Sequence, residues 1–160
     1  MNIFYDAHRL ILQKLLNKKV NFILIGGYAV NFYGYNRVTG DMDVWLQPDN
    51  ENKKLLISVL QELAFDDEGI KTIESWDFTK PQLFHIGEQP ELTDFMTHIS
   101  GVTYESANQN STKANLDGLT LQIIHINNLI DNKKLTGRLK DLADVEYLQK
   151  IITLKNKSGK

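Results

Sequence analysis

Apolar residues follow two rhythms along the chain. Residues 3–17, 51–64 and 138–152 carry them at three- and four-residue spacing, which predicts amphipathic helices. In the first helix the pattern puts Ala7, Leu10, Ile11 and Leu15 inward and His8, Arg9 and Lys14 toward solvent. In the second it buries Leu55, Leu56, Val59, Leu60 and Leu63 and leaves Asn52 outside; in the third it buries Leu142, Val145, Leu148 and Ile152. Short apolar runs of strand length occupy Phe22–Ile25 and residues 41–46, 82–86, 92–97 and 119–124. The third and fourth runs, joined by Gly87-Glu88-Gln89-Pro90-Glu91, read as a hairpin. A short helix is expected from Asn127 or Asn128, either of which can cap it, through Lys134, with Gly137 interrupting. Residues 65–80 are irregular around the acidic turn Asp66-Asp67-Glu68-Gly69. Residues 99–117 read as a long polar loop with a short strand at 102–104. The alternation of strands and helices predicts an α/β (α+β) fold, a mixed sheet of about five strands with helices packed on one side.

The densest chemistry lies in FILIGGYAVNFYGYNRVTGDMDVWL, which begins at Phe22 and ends at Leu46. An apolar strand ends in Gly26-Gly27, and residues 28–33 can form a short helix. A strand that turns into a helix through glycine leaves free backbone N–H groups that bind phosphate oxygens, and glycine admits a close ligand. After Gly34 and a loop holding Arg37, Thr39 and Gly40, the next strand carries Asp41 and Asp43. Side chains alternate across a strand, so both carboxylates face one side, where they repel unless a cation lies between them. The stretch is neither a P-loop, which needs Gly-Lys-Ser/Thr, nor a dinucleotide fingerprint, which needs three spaced glycines. Asp94, among Leu92, Phe95 and Met96, is a second costly acid in an apolar strand. It is either a metal ligand or an aspartate on the exposed face of an edge strand; Glu88 and Glu91 are alternatives in the adjoining loop. His85 and His98 have no His or Cys partner at zinc-ligand spacing and read as structural or surface residues.

Composition narrows the classes. The chain has 160 residues, 42% hydrophobic and 24% charged, suited to one domain over residues 1–154 with a polar basic tail at 155–160. It has no cysteine, which excludes disulfides, thiol catalysis and Cys-ligated zinc. The net charge of −2 gives no general attraction to nucleic acid, and no duplex DNA partner is expected. No apolar run approaches the ~18 residues that cross a bilayer, and the N-terminus lacks the order of a signal peptide, so a cytoplasmic location and no membrane partner are expected. The Asn110-Ser111-Thr112 sequon carries no weight in that setting.

The set Gly26-Gly27-Tyr28-Ala29, Gly34, Arg37, Thr39 and Asp41-Met42-Asp43 resembles the polymerase-β-type nucleotidyltransferase superfamily. Within it the chain looks like minimal bacterial members related to nucleotidyltransferase toxins of toxin–antitoxin pairs. The resemblance implies metal-dependent transfer of a nucleoside monophosphate from a nucleoside triphosphate to an acceptor hydroxyl, releasing pyrophosphate. It implies Asp41, Asp43 and Asp94 as catalytic carboxylates holding two Mg2+ ions, with Mn2+ as a substitute. Gly26 and Gly27 would cradle phosphates, Arg37 would brace the loop or reach a phosphate, and Tyr28 would stack on the ligand or line the entrance. Lys133 or Lys134 would reach phosphate. Further along, Arg138, Lys140, Asp141 and Asp144 resemble the branch's C-terminal signature, in which Lys-Asp and Asp brace the helix; the plainer reading pairs Lys140 with Asp144 at i,i+4. The acceptor is open between a small molecule, a tRNA end and a protein hydroxyl. The competing function is a catalytically weak nucleotide-binding protein, or a toxin–antitoxin partner protein, that keeps the same fold. A DNA-binding module lacks the basic helix it would need.

Overall fold

The computed structural model describes residues 3–35 and 39–158. Helix α1 (Asp6–Asn17) leads into β1 (Phe22–Ile25), which passes directly into α2 (Gly26–Phe32). Strand β2 (Met42–Leu46) follows, then α3 (Asn50–Glu62), α4 (Asp67–Glu74) and the hairpin β3 (Leu83–Ile86) and β4 (Thr93–Met96). Next come α5 (Tyr104–Asn110), β5 (Thr112–Leu116), β6 (Leu119–Ile123), α6 (Ile126–Thr136) and α7 (Leu139–Lys157). The sheet has six strands rather than five, in the order β3-β4-β2-β1-β6-β5. β1 runs antiparallel to β2 and parallel to β6, while β2 runs parallel to β4. β1 lies inside the sheet and all four of its residues are buried, as a continuous apolar run requires. Among the described residues no helix is long and apolar enough to cross a membrane.

Several local expectations are corrected. The acidic turn at Asp66 opens a helix: Asp66 accepts from Gly69 N at 2.6 Å, and Asp67 and Glu68 sit in the first turn, where the helix dipole favours negative charge. The polar stretch 99–117 holds α5, capped by Thr103, and β5, which pairs with β6. Of the strand expected at 102–104, only a bridge between Val102 and Ile99 forms. α6 is capped by His125, whose Nδ1 accepts from Asn127 N at 3.1 Å, rather than by an asparagine. α2 begins at Gly26, two residues early, and α7 runs on to Lys157, into the expected tail.

The inward face of α1 is His8, Ile11, Leu12 and Leu15, with Leu10 exposed. His8 is therefore a core residue: its ring bonds the Tyr28 hydroxyl at 2.8 Å and Leu92 O at 3.2 Å. Leu142 is also exposed, whereas Asn52 is buried and ties α3 to the ends of β1 and β2 by exchanging two bonds with Asn21 and donating to Gln47 O. A polar residue can occupy an inward helical position when every one of its bonds is made there.

Candidate active site

Two adjacent strands bring the carboxylates together. In the register Asp43 lies beside Ile25 of β1 on one side and beside Asp94 of β4 on the other. Gly26, immediately after Ile25, has φ +68°, and a Cβ there would lie 2.8 Å from Asp43 Cγ and overlap its Oδ2. The first glycine of the pair is thus required by the aspartate: the turn leaves out a side chain so that the carboxylate can seat against the backbone. Gly40 is similarly close-fitted, with its Cβ position 3.0 Å from Pro90 O. Asp41 stands at the bend before β2 and is held by Gln89 of the β3–β4 loop, whose Nε2 donates to Oδ2 at 3.3 Å. The other oxygen of Asp41, Oδ1, is buried without a hydrogen-bond partner among the described residues.

The electrostatics follow from this crowding. Burial, and then the neighbouring Asp94 and Asp41, push the Asp43 carboxyl up to about 7, against the opposing pull of Lys133 and Lys140. Asp94 is likewise raised by burial and Asp41, while His85 and a hydrogen bond with Asp43 draw it down. Crowding and burial thus favour a proton on Asp43 when no cation is present.

The α6–α7 junction is built the opposite way. Lys133, on the last turn of α6, is buried, and its ammonium lies 2.9 Å from Asp144 and 3.5 Å from Asp141. Asp141 also accepts from Thr136 Oγ1 at 2.9 Å, and from Arg138 through Nε at 2.7 Å and the backbone N–H at 3.2 Å. Burial alone would raise the Asp141 carboxyl, but Arg138, Thr136 and Lys133 outweigh it and hold it at about 2. Gly137 makes the turn in the left-handed conformation at φ +65°. The aspartates of the C-terminal signature do brace the helix, but Asp144 does so through Lys133 rather than through Lys140.

These two clusters face each other across a cleft of about 780 Å³. Of the residues singled out in the sequence, Gly26, Gly27, Asp41, Asp43, Asp94 and Lys133 line it. Tyr28 does not: it is buried against Phe4, with its hydroxyl on His8. Lys134 is exposed and lies outside the lining, and Arg37 falls outside the described residues. Gln89 and Thr136 also line the cleft, and nothing in their sequence surroundings distinguishes them. Lys140 and Arg138 were visible only as members of a signature.

A hard divalent cation suits this donor set. The three carboxylates offer only oxygen, one oxygen of Asp41 is buried without a hydrogen-bond partner among the described residues, and the surroundings of Asp43 favour a proton where a cation would otherwise serve. Among the described residues no group of three His, Asp or Glu side chains is already closed around one ion. The fit is therefore in charge and chemistry, with Asp43 and Asp94 side by side in the β2–β4 register.

Neither a protein-family model nor a curated protein sequence matches the chain. Solved structures do. The antibiotic-resistance factor ANT(2'')-Ia matches over 96% of this chain and 92% of its own, with a TM-score of 0.58 and 12% identity. The lincosamide antibiotic adenylyltransferase LnuA, in a crystal structure with lincomycin bound, matches over 94% and 99%, with a TM-score of 0.56 and 16% identity. A nucleotidyltransferase-like protein from Paracoccidioides brasiliensis matches over 91% of this chain and 73% of its own, with a TM-score of 0.52 and 16% identity. The chain has the nucleotidyltransferase fold.

Proposed function

We propose that this protein transfers a nucleoside monophosphate from a nucleoside triphosphate to the hydroxyl of a small-molecule acceptor and releases pyrophosphate. The observation that carries the reading is the uncompensated carboxylate set Asp41, Asp43 and Asp94, facing the Gly26–Gly27 turn and a basic junction across one cleft. Half-buried acids that repel one another are a standing cost to the fold, and such costs concentrate at functional sites. Asp41 and Asp43 would hold both of two Mg2+ ions and Asp94 one of them. Divalent ions held there neutralise the phosphates and acidify the bound hydroxyl.

The chain's own residues supply the rest. The N-terminus of α2 at Gly26 and Gly27 presents backbone N–H groups to the triphosphate. Lys140 and Arg138, both exposed at the cleft's rim, neutralise its outer phosphates, and Lys133 contributes from behind its aspartates. The acceptor oxygen bonds to the α-phosphorus as the bond from that phosphorus to the bridging oxygen breaks, and pyrophosphate leaves with the electron pair. The hydroxyl proton passes to the carboxylate of Asp94, which lines the same cleft. A cytoplasmic location, with its supply of magnesium and nucleotide, suits this chemistry.

A protein partner is a second reading, favoured by Leu135, Leu139 and Leu142, which stand 65%, 88% and 47% exposed around the α6–α7 turn. The test of the first reading uses triphosphates labelled at the α-phosphorus, magnesium and a panel of hydroxyl acceptors, including lincomycin, tobramycin, tRNA and whole-cell protein. Label should appear on an acceptor with wild-type protein and vanish with Asp94→Asn, while magnesium-triphosphate binding stays within severalfold. Binding without transfer to anything in the panel would favour the partner reading, and equal transfer by Asp94→Asn would overturn the mechanism.

A further inference from the structure

A second cleft, of about 840 Å³, adjoins the first and shares His98 and Ile99 with it as a common wall. Its floor is aromatic. Trp45 and Tyr104 meet edge-on at 5.2 Å, and the indole N–H is already occupied by Thr97 O at 2.9 Å. Val102 adds a further apolar surface, and the acids Asp49 and Glu105 also line the cavity. Among the described residues no lysine or arginine lines it, whereas the first cleft carries Lys133, Arg138 and Lys140. Charge therefore sorts the two spaces: one suits a polyanion, the other a neutral or cationic molecule with a flat apolar body.

His98 stands at the junction, and its protonation pattern can be read from its neighbours. Thr97 Oγ1 has three partners: it accepts from Gln82 N at 2.9 Å, lies 2.9 Å from Lys80 O, and lies 2.8 Å from His98 Nδ1. A carbonyl can only accept, so the single hydroxyl proton goes to Lys80. Nδ1 of His98 must then be the donor, which leaves Nε2 of the neutral ring as a lone-pair acceptor. His98 is exposed and lies four positions along the chain from Asp94, a backbone reach of at most about 14 Å. A small molecule seated in the second cleft can thus span from His98 to Asp94.

Resting on the transferase reading above, we propose that this second cleft is the acceptor pocket. It takes a neutral or cationic amphipathic hydroxyl compound, and His98 positions it by accepting a hydrogen bond at Nε2. An isolated histidine that the sequence marked as structural or surface becomes a specificity residue.

Three probes share one aromatic ring and differ in charge: tyramine (cationic), tyrosol (neutral) and 4-hydroxyphenylacetate (anionic). Each would be titrated into the full chain at millimolar concentration, with the Trp45 indole and His98 ring signals followed by NMR. Magnesium-ATP affinity would be measured separately by calorimetry. Tyramine and tyrosol should saturate both signals and bind several-fold more tightly than 4-hydroxyphenylacetate. Glu105→Lys, an exposed change, should reverse the order of the two charged probes. His98→Ala should weaken tyrosol roughly five- to tenfold, the scale of one lost hydrogen bond, and His98→Gln, which keeps an acceptor oxygen, should restore most of it. Magnesium-ATP affinity should stay within twofold in Glu105→Lys, which lies outside the first cleft. Absence of saturation, shifts centred on Gly26 and Asp94 instead, an unchanged charge order in Glu105→Lys, or no rescue by His98→Gln would each overturn the proposal. Probe saturation here with no magnesium-ATP binding in the first cleft would keep the pocket and overturn the transferase reading that makes it an acceptor site.

Discussion

Two groups of aspartates lie on opposite sides of one cleft and are treated in opposite ways. Asp141 and Asp144, on α7, are buried with cations against them: Lys133 reaches both, and Arg138 and Thr136 complete the bonds of Asp141. Asp41, Asp43 and Asp94, at the strand ends, are crowded with one another, and one oxygen of Asp41 has no hydrogen-bond partner among the described residues. The same side chain is held at about 2 on the helix and pushed up to about 7 on the strand. Burial does not explain the difference, because it acts upward on both. The pairing does. A buried acid with its cation built in is part of the scaffold, whereas a half-buried acid left beside other acids marks the place where a cation from outside belongs.

The contrast is broken most directly at Lys133. Lys133→Ala would leave Asp141 and Asp144 buried without their shared cation, and the loss should be about 3–5 kcal/mol in urea unfolding. A loss below about 1 kcal/mol would mean that the junction is not the compensated site described. Asp43→Asn should act in the other direction. With the carboxyl pushed up to about 7 from 3.8, the folded state holds that proton more tightly than the unfolded chain does. The resulting stability is complete below about pH 4 and is lost as pH rises toward 7, on the order of 2–4 kcal/mol in all. Thermal melts of metal-free protein from pH 4 to 7.5 should show this decline, and Asp43→Asn should flatten it.

Asp141 has the opposite sign. Its folded value of about 2 lies below the unfolded 3.8, so its stabilisation is present above about pH 4 and disappears as pH falls toward 2. Asp141→Asn should remove that acid-side loss and leave the slope near neutrality unchanged. A finer test concerns Gly26. Gly26→Ala should cost about 2 kcal/mol or more from overlap with Asp43 and from positive φ, and Asp43→Ala should recover the overlap part but leave about 1 kcal/mol of backbone strain. Additive losses in this double-mutant cycle would show that the glycine does not serve the aspartate.

The uncompensated group was the more legible of the two in the sequence. Strand, Gly-Gly, helix and Asp-x-Asp occupy one short stretch, so local spacing places Asp41 and Asp43 beside the turn, although β2 begins at Met42 and leaves Asp41 at the bend before it. The bounds of β1 are those its apolar run predicts. Asp94 was visible as an acid among strand apolars, and the β2–β4 register sets it beside Asp43. The compensated group was hidden because its key bond spans two helices. Spacing suggested Lys140 with Asp144, yet the ammonium that reaches Asp144 comes from Lys133, across the Gly137 turn. Adjacent lysines cannot be told apart by motif position, but helical phase points Lys133 inward and Lys134 outward. His8 and Tyr28 were misread for a related reason: each is polar and buried, and the bond that makes this tolerable joins residues twenty positions apart. The α5–β5 segment was obscured by its polar composition, since only Tyr104 and Ala107 of α5 are buried.

The most direct measurement of whether the carboxylate set awaits a cation is its proton balance on binding. Calorimetry of magnesium with a non-hydrolysable triphosphate analogue, near pH 6.5 in two buffers of different ionisation enthalpy, counts the protons released. If the cation displaces the proton that the surroundings of Asp43 favour, wild type should release up to about one proton beyond that of the magnesium–nucleotide complex itself, and Asp43→Asn should release none. Magnesium-dependent binding with no excess release, or with equal release from both proteins, would contradict the assignment.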